Sequence, residues 1–360
     1  MSWLGLRDQK GAVFGSEGVG QQAKGRKSPN TRLTQGTFLM EFAAIPGETD
    51  QVLFSYASDG PVSTVFEVRL TLDGDLTVHS EGIGYSRSHK LEAGFITRSS
   101  GIVLKLTWDA ERDQHALSME VTESGALHFR PLAQHDAMVL RDAVLMFLGK
   151  KPAKMGAGVR FVALADHVMA HGPVPTLHPS TKIPTLLGRR PISDLKVGDV
   201  VLAADGSRAQ VRWACMATLP ALGRFAPRRI CAPFHNARTD MICAHDQLLR
   251  LGGSEVEYLF ATNHVLSKTG DLAHGVIAEQ GDRYRTVDYA QIVLDRPVAM
   301  EVSGLMVEPL NLLQLQENPT LKPFSTLSSL PAALWPTPSP LAPEILQPFE
   351  VDAWSKIQAA

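Results

Sequence analysis

The feature that most constrains the fold is a run of alternating strand and turn signals from Thr176 to about Gly253. It opens Pro179-Ser180-Thr181-Lys182-Ile183, a short extended segment with a basic residue, and reaches a turn at Leu187-Gly188. A polar hinge at Ser193-Asp194 and a reverse turn at Val197-Gly198-Asp199 then feed the apolar strand Val200-Val201-Leu202. The Asp205-Gly206 pair suits a two-residue hairpin, because both positions of such a turn tolerate positive φ. Segments this short, punctuated this often, leave no room for long helices and predict a compact β module.

The same rhythm precedes it. Phe38–Phe42, Gln51–Tyr56, Val65–Leu72, Gly101–Asp109 and His115–Val121 read as strands, with an Asp73-Gly74 turn leading into Asp75–His79. Within Val65–Leu72 the residues Val65, Glu67, Arg69 and Thr71 fall on one face, as period-2 geometry requires. Val144–Leu148 and Val159–Leu164 are expected to complete the sheets. The first 30 residues mix Gly, Lys, Gln and Ser without apolar periodicity and predict a mobile arm or a loose first strand. Two prolines and a glycine in Ala170–Pro175 predict an extended linker. The domain expectation is therefore an arm at 1–30, a β-sandwich at 31–168, a linker at 169–175, the β module at 176–311 and a Pro-rich tail at 312–360. Six prolines fall between Pro331 and Pro348, a density that excludes a regular helix there. The apolar Leu334, Trp335, Ile345, Leu346, Phe349 and Trp354 place the tail against a folded surface. The fold class is all-β: a jelly-roll-like sandwich followed by the second β module.

The block from Gly188 to Leu202 resembles the Hint (Hedgehog/intein) superfamily in its bacterial branch. That branch opens with Cys, an aromatic or apolar residue, x-Pro-Gly-Thr, a basic residue and Ile. It continues Gly-x-x-Pro-Val-x-x-Leu-x-x-Gly-Asp-x-Val-Leu-Thr and later reaches Val-Ser-Pro-x-His-Arg. The resemblance implies self-processing, in which the first residue attacks the carbonyl before it while a His polarises the scissile amide. It places Thr176 at the nucleophile, Gln247 at the assisting His, and Pro297, after Asp295-Arg296, at a third position where the family carries His. Thr176 could attack the Pro175 carbonyl through its hydroxyl, but its β-branch hinders approach and an amide at 247 does not titrate near neutral pH. His245, two residues earlier and on the same strand face if the segment is extended, is the one candidate to replace the missing base. The catalytic positions read as degenerate. The stretch around Thr107-Trp108-Asp109 and the Asp73-Gly74 turn likewise resembles concanavalin/laminin-G jelly rolls over about residues 31–168, which implies a glycan or protein ligand at loop ends.

Other residues carry weaker signals. Glu255, Glu257 and Tyr258 follow Gly252-Gly253 and read as a solvated edge strand. Arg224, Arg228 and Arg229 form a small basic patch. A formal charge of −2 gives no electrostatic reason to expect nucleic acid or an anionic membrane, and no apolar run approaches the roughly 18 residues of a membrane span. The amino end lacks an apolar segment of the secretory kind, so export would need another route. Three cysteines, Cys215, Cys231 and Cys243, support neither a disulfide framework nor a metal site. The 12 histidines show no ligand spacing, and no cofactor is expected. Asp73, Asp75 and Asp109 offer carboxylates for a loop calcium ion, though turn formation accounts for Asp73. Three functions fit: a degenerate processing scaffold with a binding or structural role, a self-cleaving protein using Thr176, and an exported carbohydrate-binding protein.

Overall fold

The computed structural model describes residues 2–21, 28–45, 49–58, 63–92, 101–149, 151, 153–272, 274–279, 285–331, 334–335 and 343–358. Strands dominate it, as the period-2 patterning requires, and the chain divides into two units after His171.

The first unit is a two-sheet sandwich. Its strands are β1 (Trp3–Asp8), β2 (Gly11–Phe14), β3 (Gln35–Phe42), β4 (Gln51–Ala57), β5 (Val65–Leu70), β6 (Leu76–Gly82), β7 (Tyr85–Leu91), β8 (Ile102–Asp109), β9 (Gln114–Val121), β10 (Leu127–Leu132), β11 (Lys154–Met155) and β12 (Val159–Ala165). One sheet runs β10-β9-β8-β3-β12-β1-β2 and the other β11-β4-β5-β6-β7. Alternate residues face inward: Leu104, Leu106 and Trp108 of β8 meet Phe38 and Met40 of β3 and Phe54 and Phe66 of the opposite sheet. The Phe38 ring lies 5.2 Å from Phe54 and 4.9 Å from Phe66, spacings at which aromatic pairs attract beyond simple burial. Trp108 donates its indole N–H to Leu33 O at 2.7 Å. Its ring lies over Gly36, where a Cβ would fall 2.1 Å from it, so only glycine fits opposite Trp108.

Three expectations for this unit are corrected. Of the two forms expected for the amino end, a first strand is observed over residues 3–14 and a mobile arm is not: β1 lies between β12 and β2, with Trp3, Leu4 and Leu6 buried. Arg7 and Asp8 hid the alternation of so short a strand. Val144–Leu148 is not a strand but the end of helix α1 (Leu140–Leu148), whose buried Leu140, Ala143, Met146 and Phe147 follow helical spacing. The first part of the expected linker is tied down. Met169 N–H donates to Thr37 Oγ1, Ala170 O accepts from Lys105 Nζ, and His171 is fully buried between Thr107 and Ser118.

The second unit holds β13 (Lys182–Thr185), β14 (Gly188–Pro191), β15 (Val200–Leu202), β16 (Arg208–Pro220), β17 (Arg228–Ile230), β18 (Met241–Cys243), β19 (Leu248–Gly252), β20 (His264–Lys268), β21 (Val276–Ala278), β22 (Thr286–Leu294), β23 (Met300–Val302) and β24 (Leu305–Val307). They form sheets β14-β13-β15-β16-β22, β18-β17-β21 and β20-β19-β24-β23. The turns fall where the sequence puts them. Gly188, Gly198 and Gly206 all take positive φ. The expected two-residue hairpin at Asp205-Gly206 is corrected to a three-residue loop, 204–206. Leu202 faces Arg208 and Ala203 N–H donates to Ser207 O at 2.8 Å, with positive φ at Gly206 and not at Asp205. Glu255, Glu257 and Tyr258 correct the expected edge strand, because they lie in helix α2 (Ser254–Phe260). The two glutamates sit in its first turn, where the helix dipole favours negative charge, and Val256 alone among them is buried. After helix α3 (Leu313–Glu317), the tail buries Leu321, Leu327, Leu330 and Leu346. It pairs alongside β20 through Leu266 N–H to Glu344 O and Leu346 N–H to Leu266 O. Helix α4 (Pro348–Gln358) begins at the last proline, the end of a helix that tolerates one.

Candidate functional site

Thr176 enters the second unit just ahead of Leu177, which bridges Cys243 on one side and Ala290 of β22 on the other. Backbone bonds fix it there. Leu177 and Ala290 exchange N–H···O bonds of 3.2 and 2.8 Å, and Ala244 N–H donates to Thr176 O at 2.7 Å. Pro175 and Thr176 are both buried. The segment Ala244–Gln247 is a turn rather than a strand, anchored by Thr269 Oγ1, which donates to Ala244 O and His245 O at 2.9 and 3.0 Å.

Three side chains meet in this pocket of backbone. The Thr176 hydroxyl donates to Gln247 Oε1 at 2.7 Å. Gln291 Nε2 donates to both Thr176 Oγ1 and Gln247 Oε1, at 3.2 and 3.1 Å. Gln247 Nε2 spends its two protons on Leu248 O and Glu308 O, at 2.8 and 3.0 Å, while Gln291 Oε1 accepts Ile292 N–H at 3.1 Å. Thr176, Gln247 and Gln291 are 6%, 1% and 2% exposed. Every polar atom of the two carboxamides is thus engaged. No member of the trio can take a proton from the Thr176 hydroxyl near neutral pH.

The structure brings Thr176 and Gln247 together and separates the other two candidates from them. His245 is turned away. Its ring nitrogens face Asp246 Oδ1 at 3.2 Å and Asp271 Oδ1 at 3.8 Å, and the ring packs on Gly270, where a Cβ would fall 2.0 Å from it. The assumption that His245 and Gln247 share a strand face fails because the segment turns. Asp246 in turn accepts a bidentate pair from Arg224, at 2.6 Å from Nε. Burial alone would raise the Asp246 carboxyl, but Arg224 and His245 outweigh it and hold it well below the usual range. Burial raises the Asp271 carboxyl despite His245 and Lys268. Arg224 therefore belongs to a buried ion pair rather than a basic surface patch. Pro297 is exposed, past the end of β22, beside Arg296, which reaches Ser207 and Arg208 O. The third polar group beside Thr176 is Gln291, six residues earlier on β22. Its only signal in the sequence is a polar residue inside the run Ala290–Leu294, a position whose neighbours are set by long-range pairing.

Among the described residues no group of three or more His, Cys, Asp or Glu side chains is placed to hold a metal ion. Cys215 is half-buried, Cys243 fully buried, and both are free thiols, pushed up to about 12 by burial.

The chain was compared with known proteins. Residues 175–312 match the family model described as the Hint domain. No curated protein matches the sequence. Among solved structures, the Ruminococcus gnavus IT-sialidase CBM40 is 18% identical with a TM-score of 0.29, over 39% of this chain and 80% of its own. The MchDnaB-1 intein (N145AA) is 21% identical with a TM-score of 0.26, over 38% of this chain and 99% of its own. The bacterial intein-like domain from Clostridium thermocellum is 14% identical with a TM-score of 0.28, over 38% and 99%. The span 175–312 of this all-β chain is a Hint domain.

Proposed function

We propose that the Hint domain of this chain is a processing scaffold that no longer cleaves itself and now serves a binding or structural role, with the sandwich supplying the contact surface for a protein or glycan. The observation that carries the reading is the closed Thr176–Gln247–Gln291 network. Self-processing needs a nucleophile whose proton can leave and an acid that protonates the departing amine. Here the hydroxyl gives its proton to an amide oxygen that is far too weak a base to take it away. The amide that stands at the assisting position has both of its N–H protons committed to backbone carbonyls.

The reading is tested by rebuilding the missing groups. Thr176→Cys alone leaves the chain whole, because the preceding amide stays unactivated. Adding Gln247→His restores slow scission of the Pro175–Thr176 bond. Cleavage by Thr176→Cys alone would show that Gln247 is not the lesion and would sink the reading. A glycan-array screen of the full chain separates a carbohydrate partner from a protein one.

A further inference from the structure

The last stretch of the first unit, residues 166–171, is a strap without regular structure laid on the seven-stranded sheet. Period-2 geometry fixes the face it covers. Phe38, Leu104, Leu106, Leu117 and Met119 point into the sandwich core, so Thr37, Lys105, Thr107 and Ser118 point away from it. Those four side chains hold the strap. Thr37 Oγ1 donates to His167 O at 2.6 Å and accepts the Met169 N–H at 2.8 Å. Lys105 Nζ donates to Ala170 O at 2.9 Å. The two ring nitrogens of His171 bond Thr107 Oγ1 at 2.8 Å and Ser118 Oγ at 2.6 Å.

His171 is the final anchor, and its surroundings suit only a neutral ring. It is fully buried, with Phe129 of β10 edge-on at 5.4 Å. A neutral imidazole donates to one hydroxyl and accepts from the other. A second proton would place a buried charge beside the ammonium of Lys105, itself 2% exposed and bonded to the preceding residue of the strap. The carboxylates of this face are placed elsewhere. Asp109 and Glu120 lie two positions farther along β8 and β9, roughly 7 Å on. Glu41 is engaged by Arg160 at 2.7 Å, and the strap's own Asp166 and His167 face each other at 3.6 Å. Burial first, and then Lys105, holds the His171 imidazole well below its ordinary value.

We infer that His171 is an acid-sensitive latch: protonation drives its ring off the sheet and frees the strap, lengthening the loose chain ahead of Thr176, while the sandwich stays folded. The sandwich survives because the strap lies outside its core, and β8 stays paired with β3 and β9 along its whole length. A released ring protonates near 6.5, and the latched ring only well below that. The latch is therefore at full strength above about 6.5 and weakens as pH falls towards the lower value.

The test is amide hydrogen exchange of the full chain between pH 7 and 4.5, read by mass spectrometry and corrected for the intrinsic pH dependence of exchange. Opening of peptides covering 167–172 rises about tenfold for each pH unit below about 6, while peptides from β8 and β9 stay protected. His171→Gln keeps a donor and an acceptor but no titrating group, and makes the opening of the strap independent of pH. His135→Gln, which removes the buried histidine packed on Trp108, leaves the response of the strap unchanged. Should His171→Gln not fold, the His171 ring resonances of the parent decide. A ring that titrates near 6.5 while the strap stays protected overturns the latch, and one that changes only as the strap opens supports it. Strap opening that ignores pH in the parent, a response that survives His171→Gln or is lost in His135→Gln, or simultaneous opening of β8 and β9 would overturn the inference.

Discussion

The Thr176 hydroxyl donates a 2.7 Å hydrogen bond to Gln247 Oε1, and the same oxygen accepts from Gln291. A nucleophile-position residue is thereby held as a structural donor. Gln247→Leu would strand the Thr176 hydroxyl, one Gln291 proton and the Glu308 carbonyl in a buried pocket. The expected loss is about 3 kcal/mol, against about 1 kcal/mol for Thr176→Val, which leaves the two carboxamides bonded to each other. Urea unfolding of both variants checks the order. A larger loss for Thr176→Val would contradict the network.

Arg224 and Asp246 form a second buried unit beside the turn that carries His245. Breaking it by Arg224→Met leaves the carboxylate uncompensated and costs about 3 kcal/mol. Because Asp246 is held low in the folded state, the pair's contribution is fully present above the usual carboxylate range and is lost progressively as pH falls below that range towards the lower folded-state value. The variant should therefore differ most from the parent at neutral pH, and the two unfolding curves should converge in acid.

The sandwich carries an acid-sensitive group of its own. His135 packs on Trp108 and His89, and burial, with His89 and His115 adding, lowers it to about 3. An unfolded histidine protonates near 6.5, so the unfolded state gains protons first. Stability falls as pH drops from that value towards 3, by up to about 1.4 kcal/mol per pH unit from this one side chain. His135→Gln should flatten the fall in melting temperature over that window.

The thiols give a direct reading of packing. The Cys215 sulfur lies 3.6 Å from Gln291 O, and that of Cys243 lies 3.6 Å from Thr269 Oγ1. With both pushed up to about 12 by burial, neither presents a thiolate at pH 7.5. Maleimide should label both slowly in the native chain and rapidly in urea. Fast native labelling at both would count against the packing of β16 and β18.

Strand rhythm and turn chemistry made most of the architecture legible, because Gly188, Gly198 and Gly206 occupy conformations that their neighbours announce. Short helices were not legible. Val144–Leu148 is apolar all along, and Val256 and Tyr258 alternate, so neither stretch distinguishes period 2 from period 3.6 at such length. At the site, Thr176 and Gln247 could be picked out from the surrounding motif. Gln291 could not, since its place beside Thr176 depends on the pairing of Leu177 with Ala290, more than 110 residues apart. His245 misled because a turn, not a strand, follows β18.

The central claim is that the chain stays whole. The most direct test is the intact mass of the purified chain after prolonged incubation with hydroxylamine and, separately, with dithiothreitol. Those nucleophiles capture any ester formed at Thr176 and release residues 1–175. The expected result is a single species of full mass under both conditions. Fragments ending at Pro175 and beginning at Thr176, abolished by Thr176→Ala, would contradict the account and make this an active, hydroxyl-dependent Hint domain.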